Sequence, residues 1–414
     1  MMKYGCIGET LSHSYSVEIH TRLSEEPYEL RELSKEELPG FFAARKFFGI
    51  NVTIPYKEAV IPYLDGIDDL AGEIGAVNTI LNREGKLIGY NTDFDGLTAL
   101  LSRMDVTLSG KRVMIVGSGG TAKTARALAK RSGACEILTV SRTKGVGDLT
   151  YQELPQAAKR IQVLIQTTPV GMYPGDGEMP VDLDLFPKLE ALVDAVYHPI
   201  RTRLVLEARE RGIKAEGGLF MLVFQAAKSA SLFHDTSYSD RTIESVYHSL
   251  LQKKENLVLI GMPGAGKTTL GGMLAERLGR PFFDLDKEVG KRVGETIPEL
   301  FAKGGEAAFR AIETVVTKEL SRQDGVVIAT GGGTPLEREN LLSLRQNGFL
   351  YYLDRPQEEL LPSDDRPLAR TRKDLAALYD KRTPRYRAIC NAVFQVHGSP
   401  LASCDELEKD WRNR

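Results

Sequence analysis

Short apolar runs alternate along the whole chain with longer stretches in which apolar positions recur at helical spacing. A short run of aliphatic and β-branched residues bounded by glycine or polar residues is typical of a buried strand in a parallel sheet, and helical spacing is typical of an amphipathic helix. The alternation therefore predicts α/β architecture with largely parallel sheets. The strands predicted in this way are 111–117, 136–140, 191–197, 257–261, 326–329 and 349–353.

Two glycine-rich loops, each between a predicted strand and a predicted helix, organise the chain. The first follows the strand at 111–117 and the second follows the strand at 257–261. A strand–loop–helix unit of this kind opens a nucleotide-binding domain. The predicted division is a first lobe at 1–100 to which a helix at about 218–250 returns, a nucleotide-binding lobe at 101–217, a polar linker at 251–256, and a second nucleotide-binding domain at 257–414.

The composition limits the classes of binding partner and the cellular compartment that we expect. The 414 residues carry 54 basic and 56 acidic side chains, a net charge of −2, so no overall charge attracts nucleic acid or a membrane surface. No apolar run is long enough to span a bilayer, and the first residues lack a signal-peptide pattern. The four cysteines are scattered, which predicts free thiols rather than a zinc site or a disulfide framework. We expect a cytoplasmic protein that binds small molecules, with no nucleic-acid or membrane partner, and the oligomeric state stays open.

The first glycine loop has the spacing G-x-G-x-x-A, which is typical of dinucleotide binding. Glycines permit a tight turn and a close approach of the backbone to a pyrophosphate, and the following helix N-terminus offers N–H donors. The candidate residues for the cofactor phosphates are Gly117, Ser118, Gly119, Gly120 and Thr121.

The end of the next strand indicates which dinucleotide binds. An NAD site places an acidic residue there to hold the ribose 2′-hydroxyl, whereas this chain has Ser141, Arg142 and Thr143. A guanidinium can stack on adenine and pair with a 2′-phosphate, although Arg142 alone could also be an ordinary surface arginine. The absence of an acidic residue at this strand end favours NADP(H).

The second glycine loop, 261–268, has the complete P-loop spacing G-x-x-x-x-G-K-T. Backbone N–H groups of such a loop hold nucleotide phosphates, the lysine reaches the β- and γ-phosphates, and the hydroxyl after it binds Mg²⁺. The pattern therefore predicts a nucleotide bound with Mg²⁺ on Thr268. The candidate residues for the nucleotide are Gly264, Ala265, Gly266, Lys267, Thr268 and Thr269.

Clusters of hydroxyl, amide and charged side chains precede the first glycine loop, at 12–16, 51–57, 75–79 and 91–93. Such groups can hydrogen-bond a polyhydroxylated acid and move a proton, although each of them alone could serve a cap, a turn or a solvated surface. As an ordered set they closely resemble the shikimate dehydrogenase family over roughly residues 3–250. The resemblance continues after the glycine loop in the segments 166–172, 194–202 and 217–225.

The resemblance implies an NADP-dependent dehydrogenase with a Rossmann lobe. Lys57 would be the general acid/base, and Asp93 would be its partner. Ala195 and Gly218 are implied beside the cofactor. The residues implied to hold shikimate are Ser14, Ser16, Thr53, Lys57, Asn78, Asp93, Tyr197 and Gln225.

Polar segments after the P-loop carry a second resemblance, to shikimate kinase, from residue 256 to about 397. It rests on the segments 283–286, 304–313, 330–333, 366–368 and 382–386. It implies that ATP is the nucleotide, that Asp284 supports Mg²⁺, and that Arg366 closes over ATP from a lid shorter than is usual in that family. The residues implied to hold shikimate are Asp286, Arg310, Gly332 and Arg382.

The two resemblances meet at one metabolite, because shikimate is the product of the first activity and the substrate of the second. We therefore predict a bifunctional enzyme that reduces 3-dehydroshikimate with NADPH and then phosphorylates shikimate with ATP to shikimate 3-phosphate. Two alternatives stay open. One is that the first half is a quinate/shikimate dehydrogenase of broader specificity. The other is that one half is a non-catalytic regulatory module.

Overall fold

The structure, a computed structural model, describes residues 2–12, 14–361 and 371–414. It divides into two compact units, Met1–Leu250 and Leu251–Arg414. The predicted α/β architecture is confirmed, since three sheets in the chain are flanked by helices.

The first sheet of the first unit is mixed, with the strand order β2-β1-β3-β5-β6-β4. Its strands are β1 Tyr4–Gly8, β2 Tyr28–Glu32, β3 Gly49–Val52, β4 Gly66–Ile67, β5 Thr79–Arg83 and β6 Lys86–Tyr90, with helices α1 Ser16–Leu23, α2 Leu38–Ala44 and α3 Asp69–Ile74. Its pairings are parallel except at β5, which runs antiparallel to β3 and to β6. Glu84 and Gly85 both have positive φ and join β5 to β6, as the two-residue turn of a hairpin requires.

The second sheet of the first unit is entirely parallel, with the order β12-β11-β10-β7-β8-β9. Its strands are β7 Arg112–Val116, β8 Glu136–Ser141, β9 Leu149–Thr150, β10 Val163–Gln166, β11 Ala191–Asp194 and β12 Lys214–Glu216, and its helices are α5 Gly120–Arg131, α6 Leu154–Ala158 and α7 Arg203–Glu210. The order reverses between β10 and β7, and ligands of doubly wound sheets bind at that switch point, beyond the carboxyl ends of the strands. The first glycine loop follows β7 at this point.

Three further helices follow: α4 Asp93–Arg103 and α8 Leu219–His234 lie in the first unit, and α9 Asp240–Lys254 begins in it and ends after the boundary at Leu250. The segment predicted to return to the first lobe is thus two helices, α8 and α9, rather than one. The residues predicted as a polar linker, 251–256, are instead the last turn of α9, Glu255 and the first residue of the next strand. Lys253 alone of these residues is exposed, whereas Glu255 and Asn256 are buried, and Asn256 Nδ2 donates to the carbonyl oxygens of Ser321 and Gln323.

The second unit has one parallel sheet in the order β14-β15-β13-β16-β17. Its buried core lies on both faces of the central strand β13, all of whose residues are buried. The strands are β13 Asn256–Ile260, β14 Phe282–Asp284, β15 Val327–Ala329, β16 Gly348–Asp354 and β17 Ala392–Gln395, and the helices are α10 Lys267–Leu278, α11 Leu285–Val293, α12 Ile297–Ser321, α13 Arg338–Asn347, α14 Arg372–Ile389 and α15 Pro400–Arg412.

Short 3₁₀ turns occur at Lys35–Glu37, Ile61–Tyr63, Leu183–Leu185, Thr334–Leu336 and Gln357–Glu359. Within the described ranges, no helix has both the length and the apolar character needed to cross a bilayer.

Candidate active sites

Lys57 and Asp93 form a close ion pair in the first unit. Lys57 Nζ donates to Asp93 Oδ2 at 2.6 Å, and the two side chains are only 14% and 7% exposed. Asp93 is the first residue of α4, where the helix dipole favours a carboxylate. Lys57 Nζ also lies 3.3 Å from Thr121 Oγ1, so the candidate acid/base touches the glycine loop.

Asn78 and Gln225 reach the same pair from two other elements. Asn78 Nδ2 donates to Asp93 Oδ1 at 2.9 Å and lies 3.3 Å from Gln225 Oε1 on α8. Helix α8 comes this close to α4 because Gly96 has no side chain: a Cβ there would lie 2.7 Å from the carbonyl oxygen of Met221. The packing of α4 on α8 thus assembles four of the predicted site residues, Lys57, Asp93, Asn78 and Gln225.

The remaining candidates for shikimate lie around this cluster. Ser14 Oγ donates to Ser16 Oγ at 3.0 Å, and Ser16 begins α1. The rings of Tyr15 and Tyr197 are 5.4 Å apart, so this serine segment and the segment of Tyr197 meet. Thr53 stands directly after β3, four residues before Lys57, and has no side-chain hydrogen bond to another described residue.

A buried thiol, that of Cys6, also lies near this site. Burial raises the pKa of Cys6 to about 12, while the nearby Lys57 ammonium and the Ser16 hydroxyl act in the opposite direction. Cys6 therefore stays protonated and neutral near pH 7, and it lies near both Ser16 and Lys57.

The dinucleotide loop is built for close contacts. A Cβ at Gly117 would clash with Thr167 Oγ1, and one at Gly120 would lie 3.0 Å from Lys57 Cβ. Gly119 caps α5, whose first turn holds no acidic residue. An anion can therefore approach the free N–H groups at this helix start, and the loop residues Ser118 and Thr121 are half-buried beside it.

The strand end proposed for the cofactor's ribose has an exposed arginine. Ser141 ends β8 and accepts from the backbone N–H of Thr143 at 3.2 Å, which turns the chain and leaves Arg142 exposed. This geometry gives the guanidinium access to a phosphate group.

Strand β11 ends at Asp194, earlier than the predicted 191–197. The carboxylate of Asp194 accepts from the backbone N–H of Val196 at 3.0 Å and from the hydroxyl of Thr202 at 2.6 Å, which turns the chain out of the sheet. Burial raises the pKa of Asp194 to about 7, and the two hydrogen bonds act against that rise. The turn brings Ala195 against Gly218, where a Cβ would clash with the Ala195 carbonyl oxygen.

The second site is a cavity of about 300 Å³ in the second unit. Lys267 Nζ donates to the carbonyl oxygens of Gly261 and Met262 at 3.0 and 2.9 Å, so the P-loop itself holds its lysine. Thr268 Oγ1 donates to Asp284 Oδ2 at 2.5 Å. The predicted site residues that line the cavity are Gly264, Gly266, Lys267, Thr268, Thr269, Asp284, Asp286, Arg310, Gly332 and Arg382, whereas Ala265 is buried beneath the loop.

Asp286 lines this cavity and has a raised pKa. Burial and then the neighbouring Asp284 carboxylate raise the pKa of Asp286 to about 6, with Glu313 adding to the rise and Lys267 and Arg310 opposing it. A carboxylate with a pKa near neutrality can both accept and release a proton at physiological pH.

Two arginines lie against the glycine loop 331–333. Arg310 Nη1 donates to Glu313 Oε2 at 2.6 Å, and the nearly inaccessible Glu313 accepts from Thr334 Oγ1 at 2.6 Å. A Cβ at Gly333 would clash with Arg310 Nη2, and one at Gly332 would lie 2.9 Å from Arg382 Nη1. Any side chain at these positions would displace the guanidinium groups.

Comparison with known proteins now decides the family of the first unit. Residues 6–80 match the family model of the shikimate dehydrogenase substrate-binding domain. Shikimate dehydrogenase (NADP(+)) of Clostridium perfringens (strain 13 / Type A) is 36% identical over 268 residues, which are 60% of this chain and 98% of that protein. The chain belongs to the shikimate dehydrogenase family. Residues 263–411 match the family model of shikimate kinase, so the second unit is a shikimate kinase domain.

Solved structures agree with this assignment of the dehydrogenase unit. A chorismate mutase/shikimate 5-dehydrogenase fusion protein from Clostridium acetobutylicum is 37% identical, with a TM-score of 0.56, and the match covers 60% of this chain and 97% of that one. Shikimate 5-dehydrogenase from Thermus thermophilus, solved with NADP(H) and shikimate, is 30% identical, with a TM-score of 0.55 and coverages of 60% and 99%. The predicted bifunctional family assignment is confirmed.

Several residues of the dehydrogenase and kinase sites were not assigned a role by the sequence. Thr92, Thr79 and Ser229 are buried beside Asn78 in the dehydrogenase unit. In the kinase domain, Glu313 accepts from both Arg310 and Thr334. Glu313 follows Arg310 by three residues on a helix, a spacing that could have suggested the pair. Arg366, predicted to bind ATP, lies outside the described residues.

Proposed function

We propose that the dehydrogenase unit reduces 3-dehydroshikimate to shikimate with NADPH and that the kinase domain phosphorylates shikimate with ATP to shikimate 3-phosphate. The observation that carries the proposal is that each unit brings together reactive groups suited to one of the two reactions. The first has Lys57 paired with Asp93 beside a dinucleotide loop, and the second has Lys267 and Asp286 in one cavity.

Lys57 is the proton donor of the reduction in this proposal. An ammonium has three N–H groups, and two of them have acceptors in Asp93 and Thr121, which leaves one for the substrate oxygen. NADPH, when bound, supplies the hydride to the ketone carbon. Lys57 then gives its proton to the oxygen that gains negative charge, and Asp93 keeps the ammonium aimed at that oxygen.

Substrate binding falls to hydroxyl and amide groups around the pair. Ser14 and Ser16 lie near the segment of Tyr197, and Asn78 and Gln225 border Asp93. The residues proposed to hold shikimate are Ser14, Ser16, Thr53, Lys57, Asn78, Asp93, Tyr197 and Gln225.

The cofactor site fits NADP(H) in two respects. The close contact between Gly117 and Thr167 and the start of α5 form a surface that a phosphate can approach, and Arg142 is exposed at the end of β8. Arg142 would pair with the 2′-phosphate, while Ser141 and Thr143 shape the turn that presents it. Ala195 and Gly218 would lie beside the nicotinamide.

In the kinase domain, Asp286 accepts the proton of the attacking hydroxyl while Arg310 and Arg382 hold the carboxylate of shikimate. The guanidinium fork suits a carboxylate, and both arginines lie against the loop that contains Gly332. The backbone N–H of Gly332 would add a hydrogen bond. Lys267 places its charge next to the phosphates, and Gly264, Ala265, Gly266 and Thr269 supply the rest of the loop that surrounds them.

Mg²⁺ is proposed as the metal, because Thr268 and Asp284 offer the kind of oxygen ligands it prefers. Their oxygens are 2.5 Å apart at the edge of the cavity. Mg²⁺ usually takes one or two protein oxygens and completes its shell with water and phosphate oxygens. Bound there, it would neutralise charge on the phosphates.

The test is a coupled assay that starts from 3-dehydroshikimate, NADPH and ATP. We expect one NADPH oxidised and one ADP formed for each shikimate 3-phosphate, and no ADP when NADPH is left out. Parallel reactions with quinate and NAD measure any broader specificity. NADPH oxidation with shikimate accumulating and no ADP formed would show that the kinase domain is not catalytic. No NADPH oxidation from 3-dehydroshikimate, with ADP formed when shikimate is added, would show that the dehydrogenase unit is not catalytic.

A further inference from the structure

The Lys57–Asp93 pair is one end of a chain of buried hydrogen bonds that continues through Asn78 to Thr79. Asp93 accepts from Asn78 Nδ2, and Asn78 Oδ1 accepts from Thr79 Oγ1 at 3.1 Å. Thr79 is the first residue of β5 and is completely buried. Asn78 therefore lies between a reactive carboxylate and a hydroxyl that no substrate can touch.

The amide of Asn78 has only one orientation that its neighbours accept. The backbone N–H of Thr92 can only donate, and it points at Asn78 Oδ1 at 2.8 Å. The carboxylate of Asp93, when ionised, can only accept, and it faces Asn78 Nδ2. A reversed amide would place donor against donor and acceptor against acceptor in a buried site, which is costly.

The hydroxyl of Thr79 has two acceptors within hydrogen-bond distance, Ser229 Oγ at 2.8 Å and Asn78 Oδ1 at 3.1 Å. Ser229 donates to the carbonyl oxygen of Gln225 at 3.0 Å and accepts from Asn51 Nδ2 at 2.7 Å, which leaves one lone pair for the hydroxyl of either Thr79 or Thr92, the latter 3.0 Å away. When Thr92 donates to Ser229, Thr79 accepts the second Asn51 N–H at 3.1 Å and donates to Asn78. This is the arrangement in which Thr79 acts on the Asn78 amide.

We propose that Thr79 is a positioning residue for ketone reduction, whose hydroxyl holds the Asn78 amide and, through it, keeps Asp93 in register with Lys57. This inference rests on the proposed reduction of 3-dehydroshikimate. Hydroxyls, amides and a carboxylate in a buried network strengthen one another when every donor has a partner, so the loss of one member loosens the rest.

The test compares Thr79→Val with Thr79→Ser in the full chain. Valine has nearly the shape of threonine but no hydroxyl, whereas serine keeps the hydroxyl and loses the methyl group. Active chains are counted by titration with NADPH, whose loop does not contact Thr79. We expect kcat for reduction per NADPH-binding chain to fall roughly tenfold or more in Thr79→Val, with the KM for NADPH unchanged, and to stay near wild type in Thr79→Ser.

A merely structural role would give a different pattern. The melting temperature of Thr79→Val would fall, but kcat per NADPH-binding chain would equal that of the wild type, and the inference would be wrong. Equal losses of kcat in the valine and serine variants would also overturn it. If Thr79→Val does not bind NADPH at full stoichiometry, Thr79→Ala is measured by the same criterion. An inactive wild-type chain would instead contradict the proposed reduction itself.

Discussion

The two active sites hold their lysines in different ways. Lys57 is paired with a carboxylate, Asp93, inside a network of neutral amides and hydroxyls. Lys267 Nζ donates to two backbone carbonyl oxygens of its own loop, and its charge opposes the rise in the pKa of Asp286 in the same cavity. The first arrangement suits a group that must give up a proton at one place, and the second suits a group whose charge must meet the phosphates of a nucleotide.

The carboxylates differ as well. Asp93 lies at the start of a helix and is ion-paired with the Lys57 ammonium. Asp286 shares a cavity with Asp284 and Glu313, and burial with these neighbours raises its pKa to about 6. The comparison indicates that the dehydrogenase site is assembled before the substrate arrives, whereas the kinase site keeps like charges together until its ligands neutralise them.

The largest expected effect is that of Lys57→Met on the dehydrogenase. Removal of a general acid costs on the order of 10²–10⁴-fold, so we expect ketone reduction to fall by about 10³-fold while phosphorylation of added shikimate stays near normal. The measurement is NADPH oxidation with 3-dehydroshikimate, and exposed Lys86, changed to Met, is the matched control. Reduction at a wild-type rate would remove Lys57 from the mechanism.

Lys267→Ala should have the reciprocal effect. Loss of one preorganised charge next to the reacting group costs roughly 10²–10³-fold, and we expect that loss in phosphorylation with no change in NADPH oxidation. Formation of ADP with shikimate measures it, with exposed Lys287→Ala as the control. Kinase activity close to normal in Lys267→Ala would mean that the P-loop lysine has been given the wrong role.

The raised pKa of Asp286 predicts an acidic limb in the pH profile of the kinase reaction, and none from this residue in the profile of the reduction. Asp286 accepts a proton only when ionised, so kcat/KM for shikimate at saturating ATP and Mg²⁺ should fall as the pH drops. Burial and the Asp284 and Glu313 carboxylates raise the pKa of Asp286 to about 6, and Mg²⁺ on Asp284 would offset part of that rise, so the fall should occur at or below this pH. Well below that pH the decline should approach roughly tenfold per unit.

Asp286→Asn separates this limb from the titration of ATP. The activity that remains in the variant should be lower at pH 8 and should lack the limb, because asparagine does not ionise. A limb of the same shape in wild type and Asp286→Asn would assign it to another group.

The smallest expected effect concerns the choice of cofactor. Arg142→Asp replaces a cation that would pair with the 2′-phosphate by an anion that repels it, and the ratio of kcat/KM for NADPH over NADH should fall by roughly tenfold or more. Lys159→Asp, an equally exposed charge reversal in the same unit, should leave the ratio unchanged. Equal values for NADPH and NADH in the unmodified chain would contradict the assignment of NADP(H).

The parts of the fold that the sequence predicted best are those with local causes. Both glycine loops lie between strand and helix as predicted, because turn geometry and helix starts depend on neighbouring residues. Five of the six predicted strands also agree closely with the observed strands β7, β8, β13, β15 and β16, whereas the strand predicted at 191–197 ends at Asp194. The antiparallel pairing of β5 was missed, because Glu84 is an uncommon residue for a hairpin turn and gave no signal.

The parts of the sites that the sequence could not predict depend on contacts between distant residues. Thr79 and Ser229 are 150 positions apart, and only the packing of α8 against the first lobe brings their hydroxyls within 2.8 Å. Asp194 matched the family pattern, but its role in ending β11 follows from its contacts with Val196 and Thr202. Such side chains look like ordinary turn or cap residues in the sequence, because their partners are set by tertiary structure.

The central claim, that each unit contains a complete and separate active site, is tested most directly by mixing two inactive chains. Lys57→Met and Lys267→Ala are each incubated with 3-dehydroshikimate, NADPH and ATP, and then combined in equal amounts. We predict that neither variant alone forms shikimate 3-phosphate at an appreciable rate, and that the mixture forms it at about half the rate of wild type at the same total concentration, as independent sites require. A mixture that stays inactive, or a single variant that completes both steps, would contradict this account.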